Sequence, residues 1–151
     1  MRRYTLLIGV LLLATALGAC TASGAMPGPH SSSPAPADTD FDTTRISDGG
    51  LFQVTYIPAL NPIPINDLHE WTLHVETADG APVEDAVITV SGGMPGHKSH
   101  GMPTAPQVTE SLGNGDYRVE GMQFQMGGWW TITFTIDAAG QRDSITFNLK
   151  L

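Results

Sequence analysis

Apolar side chains recur at every second position over residues 130–136 and again over residues 145–151. Trp130, Ile132, Phe134 and Ile136 alternate with Thr131, Thr133 and Thr135, and Ile145, Phe147, Leu149 and Leu151 alternate with Ser144, Thr146, Asn148 and Lys150. A period of two is that of a β-strand with one buried face, and a helix would scatter the same residues around its circumference. Ala138-Ala139-Gly140 separates the two runs, which therefore read as a terminal hairpin.

The pattern recurs upstream, and no stretch sustains a 3.6-residue period. Residues 51–57 read as a first strand, ended by the Pro58, Pro62, Pro64 loop. Residues 69–77 read as a second, with Trp71, Leu73 and Val75 on the core face and Glu70, Thr72, His74 and Glu76 on the other. His74 is expected to face solvent, and His69, at the strand's entrance on the Trp71 face, to be a satisfied structural histidine. Asp79-Gly80 is a turn leading into a third strand within residues 81–90, and Asn114-Gly115 joins residues 108–112 to 117–121 as a hairpin. The run Asp79-Gly80-Ala81-Pro82-Val83 with Ala86-Val87 resembles the opening of transthyretin-like and other immunoglobulin-like modules. About seven one-faced strands in some 100 residues are expected to form an all-β, immunoglobulin-like (transthyretin-like) β-sandwich as a single domain over residues 51–151.

The first 50 residues carry a different signal. Arg2 and Arg3 precede an apolar run over residues 6–13 that is too short to span a bilayer, and Leu17-Gly18-Ala19-Cys20 comes after it. That tetrapeptide resembles a bacterial lipobox, so residues 1–19 are expected to be a lipoprotein signal peptide and Cys20 the lipidated first residue of the mature chain. Cys20 is the only cysteine, which excludes internal disulfides. Thr21 rather than an aspartate stands next to it, so the expected location is the cell envelope outside the cytoplasm, on the periplasmic face of an outer membrane where the cell has one. Residues 20–50 are rich in Ala, Ser, Pro, Gly, Thr and Asp and read as a flexible tether, with a reach of about 25–30 Å. Met26 and His30 within it read as tail residues. Loss of residues 1–19 leaves five basic residues against fifteen acidic ones, a balance that makes nucleic acid an unsuitable partner. The membrane is reached through lipid rather than through basic contacts.

The chemistry is concentrated in one loop. Gly92-Gly93-Met94-Pro95-Gly96-His97-Lys98-Ser99-His100-Gly101-Met102-Pro103 places two thioethers and two imidazoles within nine positions, broken by Gly and Pro that exclude regular structure. Met122 and Met126 come later in the chain, and period-two geometry would put both sulfurs on one strand face. Extending the Asn114-Gly115 hairpin sets Met126 opposite Met102 or Pro103, and Met122 opposite Pro106 or Gln107. Thioether and imidazole donors suit Cu(I), whereas the loop has neither the oxygen cage of a Ca²⁺ or Mg²⁺ site nor the cysteines of structural zinc. The candidate ligands are Met94, His97, His100, Met102, Met122 and Met126, with Met102 and Met126 first, and Trp129 is a candidate capping aromatic. Methionine is also a core gap-filler, so a metal-free docking module with packed thioethers is the competing reading. No nucleophile elbow, two-histidine helix motif or paired carboxylates occur, and no enzyme activity is expected.

Residues 71–136 resemble the YtkA-like/FixH-like family of small exported sandwich domains. The resemblance is carried by Gly92-Gly93-Met94-Pro95-Gly96-His97, Gly101-Met102-Pro103-Thr104, Gly115-Asp116-Tyr117, Gly121-Met122 and Gly128-Trp129-Trp130. It implies copper handling through the six Met and His residues above, with a copper-transport or respiratory-oxidase assembly protein as partner. FixH-type members carry a membrane helix where this chain has a lipobox.

Overall fold

A computed structural model describes residues 34–97 and 100–151. Cys20, Met26 and His30 lie outside the described residues. The described chain is all β, with eight strands: β1 (Thr44–Ile46), β2 (Phe52–Pro58), β3 (His69–Thr77), β4 (Val87–Gly93), β5 (Gln107–Gly113), β6 (Asp116–Met122), β7 (Trp129–Ala138) and β8 (Gln141–Lys150). They form one antiparallel sheet in the order β1-β2-β3-β6-β5-β4-β7-β8. Between β5 and β4 a single residue pair, Gln107 opposite Thr89, keeps the sheet continuous. There it folds over, so that the β2-β3-β6 half packs on the β4-β7-β8 half. Tyr56 of β2 meets Phe147 of β8 edge-on at 4.9 Å across the two layers, which makes a sandwich of the immunoglobulin-like kind.

The core is the one the alternation demands. Trp71, Leu73 and Val75 of β3 are buried, as are Trp130, Ile132, Phe134 and Ile136 of β7 and Ile145, Phe147 and Leu149 of β8. Two boundaries differ from the expected ones. The sandwich has an eighth strand, β1, inside the stretch read as tether. It pairs with β2, Thr44 opposite Thr55 and Ile46 opposite Gln53, and the turn that leads from β1 into β2 is anchored by a carboxylate. Ser47 is buried and its hydroxyl donates to Asp143 Oδ2 at 2.6 Å, while the Gly49 and Leu51 amides donate to the same side chain. Composition could not signal a three-residue strand whose one large apolar side chain, Ile46, is exposed.

The third expected strand begins only at Val87. The Tyr117 hydroxyl donates to the Val83 carbonyl at 2.7 Å and accepts from the Ala86 amide at 3.0 Å, holding that segment outside the ladder. β4 instead runs on through Gly92 and Gly93, opposite Ile132 and Thr131 of β7.

The register gathers the chemistry at one end. Pro58 lies opposite Trp71, Met122 opposite His69, Gly93 opposite Thr131 and Trp129 opposite Lys150. The last residues of β2, β4, β6 and β8 and the first of β3 and β7 thus share one rim of the sandwich.

His74 lies on the outer face of β3, as expected, but it is not a free surface residue. Its Nδ1–H donates to Asp116 Oδ1 at 2.6 Å, and Nε2 lies 3.4 Å from Glu76 Oε1. Burial pulls the imidazole towards neutrality, yet the Asp116 and Glu76 carboxylates outweigh it and hold its pKa above the ordinary histidine value. A raised folded-state pKa contributes stability that is complete below the unfolded value, near 6.5, and is lost as pH rises through the folded one. In urea unfolding between about pH 5.5 and 8.5, the parent should therefore exceed His74→Gln most at the acid end, with the gap closing as pH rises. A gap of constant size would show that the carboxylates do not act on His74 through charge.

Candidate metal centre

The loop after β4 is closed by its own backbone. Gly93 and Gly101 form an isolated antiparallel bridge. Inside that neck the Met94 amide donates to the His100 carbonyl at 3.0 Å, His97 to Met94 at 2.9 Å and His100 to His97 at 2.8 Å. The neck requires glycine. A Cβ on Gly93 would stand 3.1 Å from the His100 carbonyl oxygen, and one on Gly92 would stand 2.5 Å from Ile132 Cδ1 and 2.9 Å from the Thr131 carbonyl oxygen. The Gly92-Gly93 pair therefore lets the loop fold back against β7.

Closure stacks the two imidazoles, with ring centroids 5.3 Å apart and planes inclined by 17°. His97 and His100 line a shallow cleft of about 330 Å³ together with Gly92, Gly93, Met94, Pro95, Gly101 and Thr131. The Met94 side chain is buried. His97 Nε2 and His100 Nδ1 are both buried without a hydrogen-bond partner among the described residues. A buried imidazole nitrogen left bare costs about 1–3 kcal/mol, so a pair of them in one cleft wants a ligand. No carboxylate lines the cleft among the described residues, and its side-chain donors are the two imidazoles, with Met94 beside them buried in the core. These residues fit a soft monovalent metal ion.

The other residues singled out in the sequence sit outside this cleft. Gln125 Nε2 donates to the Gly101 carbonyl at 3.2 Å, and Thr104 Oγ1 to the Gly121 carbonyl at 2.6 Å. The segment after the loop is thus delivered to the β6–β7 connection, as the hairpin register implies. Met102 and Met126 pack half-buried against the core and are not among the cleft-lining residues. Met122 and Met126 do not share a strand face. β6 ends at Met122, and residues 123–128 are irregular. Met122 is fully buried at the end of β6, opposite His69 of β3, while on the β5 side the ladder ends with Gln107 opposite Glu120 rather than Met122. The Trp129 indole donates to Asn148 Oδ1 at 3.0 Å and lines a separate groove with Phe41 and Lys150, so it does not cap this cleft. Lys98 and Ser99 lie outside the described residues.

Sequence reasoning missed His69. Its Nδ1 pairs with the Asp67 carbonyl at 3.0 Å, but its Nε2 is buried without a partner. Only its position on the Trp71 face hinted at this.

A β-sandwich with a Met/His loop at one rim is the class of protein these observations define. The YtkA-like family profile matches residues 59–135, from the β2–β3 connection into β7, and the chain belongs to that family. The match takes in all six Met and His candidates. Among solved structures, a DUF4426 family protein from Pseudomonas aeruginosa PAO1 is similar at 15% identity and a TM-score of 0.49, over 74% of this chain and 97% of that one. The ZirS C-terminal domain is similar at 17% identity and a TM-score of 0.41, over 95% of each chain. No curated protein matches the chain.

Proposed function

We propose that the protein is an envelope lipoprotein that binds Cu(I) at the loop after β4 and serves copper trafficking, tolerance or cuproprotein assembly. The observation that carries this reading is the stacked His97–His100 pair, whose buried Nε2 and Nδ1 lack partners in a cleft that also holds Met94. Two imidazoles and a thioether would hold the ion, and Met102, whose Sδ would lie 3.1 Å from a Cβ on Gly92, would assist. A bound cuprous ion would supply exchangeable soft-metal chemistry. The chain's own part is to present two imidazoles in a closed loop and, among the described residues, to keep carboxylates away from them.

The experiment is a titration of the mature protein with Cu(I) against a competing chelator. The protein should take at least one equivalent from the chelator, and failure to compete at any ratio would sink the reading. The metal-free docking module is the second reading, favoured by Ile57, Leu60, Ile65 and Leu68, which stand exposed along the end of β2 and the β2–β3 connection.

Attachment through Cys20 is the other half of the proposal, and it rests on the lipobox resemblance. Cys20→Ser should release the chain from the membrane fraction or leave it unprocessed, and unchanged membrane partition would reject lipidation.

A further inference from the structure

Strict alternation along β6 would turn Met122 outward, because Val119 faces the core. The structure turns it inward. Trp71 lies opposite Val119 and His69 opposite Met122, so three steps along β6 face two along β3. The extra residue is a bulge, and Gly121, at φ 78°, supplies the left-handed conformation it needs. The bulge carries the Met122 thioether into full burial, directly across from His69. Directly opposed residues of an antiparallel pair share a face, with Cβ atoms about 4.5–5.5 Å apart.

His69 is prepared in a complementary way. Its Nδ1–H is held by the Asp67 carbonyl at 3.0 Å. This fixes the tautomer that leaves a lone pair on Nε2, the arrangement of a metal-ligating histidine with its outer nitrogen tied to a carbonyl. That Nε2 is buried without a partner. Phe124, with its ring centroid 5.7 Å away, and Trp71, at 6.3 Å, wall the imidazole on the core side. Glu70 and Glu120 line a shallow surface pocket with Leu68 and His69, but both are exposed, whereas the unpartnered Nε2 is buried. An imidazole nitrogen and a thioether suit a soft monovalent ion. They fall short of the four donors that structural zinc takes.

The geometry points to a second soft-metal centre, formed by His69 Nε2 and Met122 Sδ, which shares no residue with the cleft of His97 and His100. It rests on the reading of the chain as a Cu(I) binder and adds to it a second ion per chain. The centre lies on the same rim as the first.

Silver(I), a redox-inert stand-in for Cu(I), tests the assignment in the mature full chain labelled with ¹⁵N. The expected result is close to two Ag(I) per chain. The Nε2 resonance of His69 and the methyl resonance of Met122 should shift on binding, while His69 Nδ1 stays put. His69→Gln and Met122→Leu should each reduce the stoichiometry to near one and leave the His97 and His100 shifts intact. Since leucine nearly preserves the volume of methionine, Met122→Leu keeps the test open if His69→Gln perturbs the rim. If His97 and His100 respond while His69 stays unmoved at a stoichiometry of one, the second centre is overturned. A water bridging His69 Nε2 to the unpartnered Trp71 indole N–H would then account for both atoms. If no imidazole moves, the Cu(I) reading falls with it.

Discussion

Trp71→Ala should lower the stability of the domain by about 3–5 kcal/mol, the range for removing a large aromatic side chain from a packed core. Trp71 is 1% exposed. Its ring stacks on Tyr56 at 4.9 Å with a 22° tilt, and Phe124 lies 6.0 Å away. It therefore joins β2 and β3 to the connection that leads into β7. Its indole nitrogen has no hydrogen-bond partner, so truncation strands no polar group and the loss is one of packing alone. A small domain holds about 5–15 kcal/mol in total, and this one change removes a large share of it. With a urea slope of about 2 kcal/mol per molar, the unfolding midpoint should fall by roughly 2 M. Trp71→Phe keeps the stack on Tyr56 and should cost distinctly less. A near-neutral Trp71→Ala would contradict the position of β3 at the centre of the core.

How far the sequence discloses this protein depends on how local each feature is. The faces of β3, β7 and β8 were legible because alternation is a property of neighbouring residues, and Trp71, Trp130 and Phe147 are buried where alternation puts them. β1 was not legible. It owes its place to Ser47 and to Asp143, which is far away in the chain. Desolvation raises the Asp143 pKa, yet the Ser47 hydroxyl and the Gly49, Ser144 and Leu51 amides prevail and hold it below the usual carboxylate value. Nothing between residues 34 and 50 announces such a partner.

The candidate site divides in the same way. A loop dense in Met and His could be read directly. The stacking of His97 on His100 could not, since it depends on the bridge between Gly93 and Gly101, a contact that no local pattern encodes. Period-two counting placed Met122 and Met126 on one face because it assumes an unbroken strand. The bulge at Gly121 inverts the side of Met122, and the irregular segment after it frees Met126 from any strand face. A glycine directly before a methionine at a strand end is the local sign of such an inversion, but alternation counted without it gives the wrong face.

Removing both imidazoles of the cleft, as His97→Ala with His100→Ala, should weaken Cu(I) binding at that centre by about 100-fold or more, roughly 2.8 kcal/mol at about 1.4 kcal/mol per tenfold. Each single variant should lose about tenfold, half of that free energy. The melting temperature should not fall, because truncation removes two unsatisfied buried nitrogens. Both residues are only half-buried, and neither His97 Nε2 nor His100 Nδ1 has a hydrogen-bond partner to strand among the described residues. The thioethers need a different probe, because Met94 is buried in the core and its truncation would confuse ligation with packing. Met94→Leu preserves volume and apolar character and should cost less than about 1.5 kcal/mol, so a loss of Cu(I) affinity in it reports on the sulfur. Met102→Leu and Met126→Leu apply the same logic to the two partly buried sulfurs. Protons compete for imidazole lone pairs and not for thioethers, so affinity in the parent should fall on acidification, while the double histidine variant should bind weakly and almost independently of pH. Should the double histidine variant and all three leucine variants bind Cu(I) as the parent does, the loop is not the centre. The stacked imidazoles would then be a structural device at the rim of a docking module, with the exposed Leu60 and Leu68 as the residues to test next.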